Sequence, residues 1–193
     1  GQELVCDAPG VRMINVPERF ASLGEKYNAG IALARGDLIT NWDDDDISLP
    51  WRLSVAVERL GDADYYNPRI FWFMVSGELQ REPARNNAHN FSLFRRAAFD
   101  AAGGYPPISL GVDQAMDKEL RGNPDCRVVP GPDDGELPLD ELLYIYRWGV
   151  SPNHLSGSSD TDFWHQIGER PVQEGRYRLQ PHWQQDYELT VRR

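Results

Sequence analysis

The sequence lacks the features that mark membrane-spanning, disulfide-stapled and nucleic-acid-binding proteins. Its longest apolar run, IFWFMV at 70–75, is far shorter than the roughly 18 residues of a membrane span. The two cysteines, Cys6 and Cys126, form no C-x-x-C pair, which argues against a zinc site or a disulfide framework. A net charge of -10 argues against general binding to a phosphate backbone or a membrane surface. The chain opens with no signal peptide, so we expect it in the reducing cytoplasm.

The sequence does contain enough apolar material for one folded domain. Of its 193 residues, 40% are hydrophobic and 11% are aromatic, including six tryptophans. A chain of this length buries a core without metal or disulfide cross-links. A folded, soluble domain is therefore expected.

The first part of the chain alternates predicted strands and helices. Residues 2–16 predict one or two strand fragments, and 20–34 predict a helix that Ser22 can cap. The segment GDLITNW, 36–42, predicts a buried strand, and Ser48 predicts the start of a second helix. The predicted buried side of that helix consists of Leu53, Val57 and Leu60.

The alternation continues beyond residue 60. Ser76-Gly77 predicts a hairpin turn, and FSLF at 91–94 predicts a strand that leads into a helix ending near Ala102. Another helix is expected over 113–121, followed by strands in CRVVP and LLYIYRW. The pattern predicts an α/β fold, a mixed sheet flanked by helices.

Four consecutive aspartates, Asp43 to Asp46, follow the predicted strand GDLITNW. Two such charges about 4 Å apart repel by about 1 kcal/mol in water and about 4 kcal/mol near a protein surface. Because side chains alternate along a strand, Asp43 and Asp45 should point one way and Asp44 and Asp46 the other. Open α/β sheets bind ligands at the carboxyl ends of strands, and carboxylates suit Mg²⁺ or Mn²⁺.

Two interpretations of the four aspartates stay open on the residues alone. One is a divalent-metal site that also takes substrate phosphates, and the other is a solvated acidic turn, as most charge runs are. An EF-hand is excluded by spacing: counted from Asp44, the sixth position is Leu49 instead of Gly and the twelfth is Val55 instead of Glu.

Two blocks of the sequence decide between these interpretations. The first block contains a Lys-x-Asn-x-Gly helix, an Ala-x-Gly-Asp turn and the aspartates; its sequence is SLGEKYNAGIALARGDLITNWDDDDISLPWRL. The second block contains an apolar strand, an Arg, a Gly-Gly-Tyr turn and an acidic helix start; its sequence is FSLFRRAAFDAAGGYPPISLGVDQAMDKEL. In this order they resemble a family 2 glycosyltransferase of the GT-A fold, a nucleotide-diphospho-sugar transferase with a DXD motif. The blocks cover about a third of the chain.

The resemblance implies roles for the first block. Asp43 would contact the donor nucleoside, Asp44 would reach the ribose, and Asp45 would coordinate the Mn²⁺ or Mg²⁺ that bridges the diphosphate. Lys26 and Asn28 would lie near the nucleotide, although Lys26 as a solvated lysine and Asn28 as a packing residue are equally open. Asp46 would support its neighbours.

The resemblance also implies that Asp113 is the catalytic base, which takes a proton from the acceptor hydroxyl as it attacks the anomeric carbon. The family often writes Glu-Asp here, and Val112 stands where the Glu would be. Asp113 is also a candidate helix N-cap, a role compatible with catalysis. Asp117, one turn later, is expected to be an exposed helix charge and serves only as the fallback base.

A segment near the C-terminal end, YRWGVSPNHLSG at 146–157, also resembles these transferases. His154 on this loop is a candidate metal ligand, with a surface histidine as the alternative. His89, His165 and His182 have no assigned role. Trp148 is a candidate for stacking on a sugar, and Trp72, inside its apolar run, is expected in the core.

The expected organisation is a GT-A domain over 1–157, with 1–60 binding the nucleotide sugar, 61–157 facing the acceptor, and 158–193 forming a tail or lid. Only some twenty residues precede the Lys-x-Asn helix, so the first βα unit of the family is expected to be missing.

The leading hypothesis is thus a metal-dependent inverting glycosyltransferase with a UDP- or GDP-linked donor and a saccharide or other hydroxyl acceptor. A nucleotidyl or phosphoryl transferase also uses carboxylate-bound metal, but no G-x-x-x-x-G-K-[ST] loop occurs. A third hypothesis is a divalent-cation or carbohydrate-binding module without catalysis.

Overall fold

The computed structural model describes residues 2–17, 19–75, 78–80, 83–85, 89–129, 137–148 and 175–179. In chain order the elements are β1 (Gln2–Cys6), α1 (Leu23–Leu33), β2 (Leu38–Ile39), β3 (Ile47–Ser48), α2 (Arg52–Leu60), β4 (Tyr65–Tyr66), β5 (Ile70–Val75), β6 (Glu78–Leu79), β7 (Ala84–Arg85), β8 (Leu93–Arg95), α3 (Arg96–Ala101), α4 (Val112–Gly122), a 3₁₀ turn (Leu139–Glu141), β9 (Tyr144–Trp148) and β10 (Gly175–Leu179).

The chain divides into two compact units. One comprises Gly1–Arg19 and Ser158–Arg192, and the other comprises Phe20–Gly157 together with Arg193. In the first unit, β1 pairs in parallel with β10. The Asn15 side chain braces β1, since its amide accepts a hydrogen bond from the Leu4 N–H and donates one to the Leu4 carbonyl, each at 2.7 Å.

The described strands of the larger unit form two sheets. In one, β8 lies between β2 and β4 and is antiparallel to both. In the other, β9 is antiparallel to β3 and parallel to β5, and β5 also pairs with β6 and β7. This mixed arrangement, with helices joining the strands, confirms the predicted α/β fold.

Helix α1 starts as its sequence predicts. The Ser22 hydroxyl accepts the Glu25 N–H at 3.2 Å, and the Glu25 carboxylate accepts the Ala21 N–H at 3.0 Å. These reciprocal bonds satisfy backbone donors that the first turn of a helix leaves unpaired.

The end of α1 is held by an arginine from another element. The Arg96 guanidinium donates to the carbonyl oxygens of Ile31, Ala34 and Gly36 at 2.9–3.2 Å. A cation is favourable at this end because the last carbonyls of a helix carry partial negative charge. Arg96 thereby fixes the chain just before β2 and the aspartates.

The main core lies between α1, α3, α4 and the sheet that contains β8. It consists of Ile31, Ile39, Tyr65, Phe94, Ala98, Phe99, Tyr105, Val112, Met116, Leu120 and Cys126. Cys6 and Cys126 are both free thiols. No helix in the described part of the chain is long and apolar enough to qualify as a membrane-spanning segment.

Helix α2 differs from its prediction in its start and its buried side. Ser48 does not cap it, because Ser48 pairs with Tyr144 in the sheet and the helix begins after Trp51. The buried residues are Arg52, Ala56 and Leu60, whereas the predicted Leu53 and Val57 are exposed. Hydrophobic periodicity did not predict the buried side of α2, because one of its buried residues is the charged Arg52.

The close approach of α1 to the loop after α3 generates a test. The Gly24 N–H donates to the Ile108 carbonyl at 3.1 Å, and a Cβ on Gly24 would lie 1.8 Å from the Pro106 carbonyl oxygen. We expect Gly24→Ala to lower the free energy of unfolding by about 1–3 kcal/mol, because backbone would have to move. Chemical denaturation measures this loss.

Gly30 on the same helix is the matched control. A Cβ there would have no atom within 4 Å. Gly30→Ala should be neutral or stabilise by up to about 1 kcal/mol, since alanine is the better helix former. Equal losses in both variants would contradict the close approach at Gly24.

Candidate functional site

The four aspartates form a bend between β2 and β3, which we call the acidic turn (Asp43–Asp46). The Tyr144 hydroxyl donates to the Asp46 carboxylate and lies 3.5 Å from Asp43 Oδ2. Asp43 and Asp46 therefore converge on one side chain, and the predicted alternation of faces is wrong. The reason is that β2 ends at Ile39, so the aspartates do not continue a strand.

The acidic turn is fixed by hydrogen bonds from distant parts of the chain. Asn90 Nδ2 donates to Asp43 Oδ2 at 2.6 Å, and the Arg147 N–H donates to Asp46 Oδ1 at 2.7 Å. The Arg147 guanidinium also donates to the Asp45 carbonyl. Asp44 is exposed. Two carboxylates of the turn are thus committed to fixed protein donors.

The surroundings of Asp43 and Asp46 disfavour the charged form of both carboxylates. Burial, followed by the charges of Asp46 and Asp45, raises the pKa of Asp43 to about 6, although the Asn90 bond opposes this. Burial likewise raises the pKa of Asp46 to about 6 against the bonds from Arg147 and Tyr144. A cation bound at the turn would stabilise these buried carboxylates in their charged form.

A buried arginine lies beneath the turn. The Arg52 guanidinium donates to Ser48 Oγ at 2.7 Å, Thr40 Oγ1 at 3.0 Å, and the carbonyl oxygens of Asn41 and Asn90 at 2.6 and 2.9 Å. Burial lowers its pKa from the usual value, and neighbouring negative groups counteract that effect.

Aromatic rings and carboxylates complete the surroundings of Arg52. Its guanidinium carbon lies 4.6 Å from the ring centre of Trp42 and 5.4 Å from that of Tyr144. Its positive charge lowers the pKa of Asp43, which burial otherwise raises. Arg52 is therefore part of what allows four adjacent aspartates to fold into one turn.

Asp113 lies in the first turn of α4, after Gly111, which has a positive φ of 66°. Gly111 is the residue that flanks the helix start, so the predicted N-cap role for Asp113 is wrong. Burial raises the pKa of Asp113, and the nearby backbone groups of Gln114, of Asp113 itself and of His89 oppose that shift.

One dipeptide lies beside both Asp113 and the acidic turn. The His89 backbone lowers the pKa of Asp113, and the next residue, Asn90, donates its side-chain hydrogen bond to Asp43 at 2.6 Å. Consecutive Cα atoms are only about 3.8 Å apart. The two carboxylates, 70 positions apart in sequence, therefore lie in one neighbourhood.

Two tyrosines also face both sets of carboxylates. Burial raises the pKa of Tyr27, and the charges of Asp43, Asp113 and Asp45 raise it further. The rings of Tyr27 and Tyr105 lie 5.1 Å apart. The tyrosine pair and the carboxylates therefore form one polar and aromatic region.

Asn28 and Lys26 occupy different environments on α1. The Asn28 amide donates to the Tyr105 carbonyl at 2.9 Å and accepts the Tyr105 N–H at 2.8 Å, so it makes the contacts of a packing residue. These bonds hold the turn at Gly104, whose φ is 82°. Lys26 is exposed. Contact of either residue with a nucleotide stays a prediction.

Asp117 is buried, so the prediction of an exposed helix charge is wrong. Its Oδ1 accepts hydrogen bonds from the Tyr65 hydroxyl at 2.5 Å, Asn67 Nδ2 at 2.9 Å and Arg121 Nε at 3.1 Å. These partners come from β4, the residue after it and the next turn of α4, which sequence periodicity does not relate. Asp117 thus anchors α4 and is not available as a base.

The remaining candidates have mixed outcomes. Trp72 is buried in the core, as predicted, and His89 proves to be fully buried with partners. His154, His165, His182 and the Trp148 side chain lie outside the described residues. Within the described ranges, no group of three or more His, Cys, Asp or Glu side chains is arranged to hold a metal by itself.

Sequence patterns did not identify Arg52, Asn90 or Tyr144 as part of this site. Arg52 follows an apparent helix start, and Asn90 lies in a polar loop that suggests solvent. Tyr144 sits in an apolar strand where a core role is the default. The hydroxyl of Tyr144 was the one available signal, because the hydroxyl of a buried tyrosine usually needs a hydrogen-bond partner.

The raised pKa of Asp43 predicts how the stability of the fold depends on pH. Because the folded-state pKa of Asp43 lies above its ordinary value, the folded chain binds this proton more tightly, and ionisation lowers the free energy of unfolding as the pH rises from about 4 to about 6. Asp43→Asn should therefore raise the free energy of unfolding near neutral pH by about 1–2 kcal/mol, with the gain shrinking as the pH falls from about 6 to about 4.

Chemical denaturation of both proteins across this pH range measures the effect. Asp44→Asn removes a neighbouring but exposed carboxylate and is the matched control. A gain that is equal in both variants would show that general charge reduction, and not the buried environment of Asp43, is responsible.

Comparison with known proteins identifies the family. The sequence profile described as glycosyl transferase family 2 matches residues 2–120, more than half of the chain, and the match includes the acidic turn, Asn90 and Asp113. A search of curated proteins gave no match. The mixed α/β architecture is consistent with a GT-A-like fold. The chain belongs to glycosyl transferase family 2, and its enzyme class is that of the glycosyltransferases.

Proposed function

We propose that the chain catalyses metal-dependent transfer of a sugar, with inversion, from a UDP- or GDP-linked donor to a hydroxyl acceptor. The observation that carries this proposal is the nearness of Asp113 to the acidic turn: the charges of Asp43, Asp45 and Asp113 all act on Tyr27, and the consecutive residues His89 and Asn90 lie beside Asp113 and Asp43. The donor and the base must meet at one reacting carbon, and residues this close can serve one site.

The proposed chemistry is a single displacement. The Asp113 carboxylate accepts the proton of the acceptor hydroxyl while the acceptor oxygen bonds to the anomeric carbon. The bond from that carbon to the diphosphate oxygen breaks, and the nucleoside diphosphate leaves with the electron pair. Burial raises the pKa of Asp113, which strengthens the carboxylate as a base.

The acidic turn is suited to a divalent metal. Burial, with a further contribution from the neighbouring aspartate charges, raises the pKa of Asp43 and of Asp46, so a cation that compensates their charge is favoured there. Mg²⁺ commonly uses one or two protein carboxylates and completes its coordination with water and substrate phosphates. In our proposal Asp45 holds Mg²⁺ or Mn²⁺, with His154 as a further candidate ligand. Such an ion supplies positive charge that stabilises the leaving diphosphate.

The other residues of the first block have proposed roles in donor binding. Asp43 contacts the nucleoside and Asp44 reaches the ribose. Lys26 is exposed and suited to a phosphate, whereas Asn28, whose amide is bonded to Tyr105, acts by holding the Gly104–Tyr105 turn beside the site. The family assignment disfavours a carbohydrate-binding module or a phosphoryl transferase.

The experiment that tests the proposal is calorimetric titration of UDP and of GDP into the protein, with Mn²⁺ and with a chelator. One nucleotide should bind with Mn²⁺ and lose its affinity with the chelator, since Asp45 would hold the ion and the ion would supply positive charge for the diphosphate. Binding that is equal under both conditions would contradict metal dependence. Absence of binding by both nucleotides would contradict the donor assignment.

Two substitutions should separate binding from chemistry. Asp45→Ala should abolish Mn²⁺-dependent nucleotide binding. Asp113→Asn should leave nucleotide affinity within about twofold and lower transfer by about 10²–10⁴-fold, the usual contribution of a positioned base. Asp100→Ala, which removes an exposed carboxylate from α3, is the control for loss of charge. Equal loss of binding in the Asp45 and Asp113 variants would show that Asp113 is misassigned.

A further inference from the structure

Trp42 is an exposed aromatic side chain that the proposed chemistry does not use. It directly precedes Asp43, the first residue of the acidic turn. In the structure 56% of its surface is exposed. A tryptophan ring gains free energy when its large apolar area is covered, so an exposed ring beside a candidate site offers that area to a ligand.

One face of the Trp42 ring is covered by a cation. The Arg52 guanidinium carbon lies over the ring, 4.6 Å from its centre, and Arg52 itself is only 1% exposed. Because the guanidinium hides the face on which it lies, the exposed surface of Trp42 comes from the opposite face and the ring edge. The indole therefore presents one open, flat face to solvent.

The chain is fixed on both sides of Trp42. On one side, Asn41 Nδ2 donates to the Tyr105 hydroxyl at 2.7 Å. On the other side, Asp43 Oδ2 accepts the hydrogen bond from Asn90 Nδ2 at 2.6 Å. A surface that is already held in place loses little conformational freedom when a ligand stacks on it.

The same guanidinium connects Trp42 to the carboxylates of the acidic turn. The Arg52 guanidinium carbon also lies 5.4 Å from the centre of the Tyr144 ring. The Tyr144 hydroxyl donates to the Asp46 carboxylate. The indole and the acidic turn therefore belong to one local structure, in which two aromatic rings contact one buried cation.

The cation behind the ring affects which kind of ligand the open face favours. An aromatic face is negative because of its π electrons, and Arg52 attracts these electrons from behind. The open face is thereby less negative, which weakens its attraction for the C–H groups of a sugar. A flat π system stacks through dispersion and burial of area, which the cation does not diminish. The base is the flat group of a nucleotide sugar.

We propose that the open face of Trp42, with Arg52 behind it, stacks on the nucleobase of the donor. The inference rests on the proposed function, in which Asp43 contacts the nucleoside. Consecutive Cα atoms are about 3.8 Å apart, so a base attached to a ribose at Asp43 lies within reach of the indole. Every base has a flat face, so the surface suits uracil and guanine alike.

Nitrogen NMR of the indole N–H groups tests the contact directly. The Trp42 signal is assigned by its loss in Trp42→Phe. UDP or GDP is added with Mg²⁺, which does not broaden signals as Mn²⁺ does. The bound nucleotide should shift the Trp42 signal more than that of any other of the six tryptophans, because a stacked base adds its ring current. A nucleotide that binds and leaves the Trp42 signal in place would overturn the proposal.

Two substitutions separate stacking on a base from the mere covering of Arg52. Trp42→Phe keeps a flat ring over the guanidinium, whereas Trp42→Leu keeps an apolar cover without a flat face. Trp42→Leu should lower the nucleotide affinity by about 5–150-fold, the usual contribution of one stacked base, and Trp42→Phe should retain most of the affinity. Unchanged affinity in Trp42→Leu, or equal losses in both variants, would contradict stacking.

Inorganic diphosphate with Mg²⁺ is the matched ligand that lacks a base. Calorimetric titration should give the same diphosphate affinity for Trp42→Leu and for the unmodified protein, because the substitution leaves the carboxylates of the acidic turn in place. If Trp42→Leu loses diphosphate and nucleotide affinity equally, the substitution disturbs the acidic turn and the stacking role is wrong.

The outcomes separate this inference from the proposed function. If a nucleotide binds equally with Mn²⁺ and with a chelator, metal dependence is wrong, yet the two Trp42 variants still decide the stacking role. If a nucleotide binds only with the metal and Trp42→Leu binds it as tightly as the unmodified protein, the donor assignment stands and the stacking role is wrong. If neither UDP nor GDP binds, both are wrong.

Discussion

The site depends on one buried cation, the Arg52 guanidinium. Isolated, a buried charge of this kind is strongly unfavourable, and it is tolerated only with nearly complete hydrogen bonding and a compensating charge. The Arg52 guanidinium donates hydrogen bonds to the Asn41 carbonyl before the acidic turn, to the Ser48 hydroxyl after it and to the Asn90 carbonyl. The aspartates provide the opposite charge. The cation and the acidic turn are therefore mutually dependent, because each is unfavourable in this environment without the other.

Asn90 extends this dependence to the opposite side of the site. Its carbonyl accepts from Arg52, its side chain donates to Asp43, and the backbone of its neighbour His89 lowers the pKa of Asp113. A shift of Arg52 would therefore reach the start of α4 through two consecutive residues. Such a short connection between Asp43 and Asp113 limits how far the two carboxylates can move apart.

Local sequence signals predicted the parts of the fold that local interactions stabilise. Ser22 and Glu25 are three residues apart, and their reciprocal bonds at the start of α1 follow from that spacing. The sequence also indicated the α/β alternation and singled out the aspartates at 43–46 and Asp113 as candidate site residues. It did not predict the inward face of α2, since a buried arginine contradicts the rule that charged residues face solvent.

Non-local contacts explain the other failures. Asp117 has the spacing of an exposed helix charge, and only the three-dimensional approach of Tyr65 and Asn67 makes it a buried acceptor. The same holds for the acidic turn, whose conformation is set by Tyr144 and Arg147 from about 100 positions later in the chain. No pattern within a window of local sequence contains that information.

The position of β9 has a consequence for how the domain can be divided or recombined. The family match ends at residue 120, but β9 begins at Tyr144. Its strand supplies hydrogen bonds to the acidic turn, and the preceding Leu142 carbonyl accepts the Trp51 indole N–H at 3.0 Å. A chimera joined at residue 120 would therefore combine aspartates from one parent with their partners from another. The unit that can be exchanged intact extends at least to residue 148.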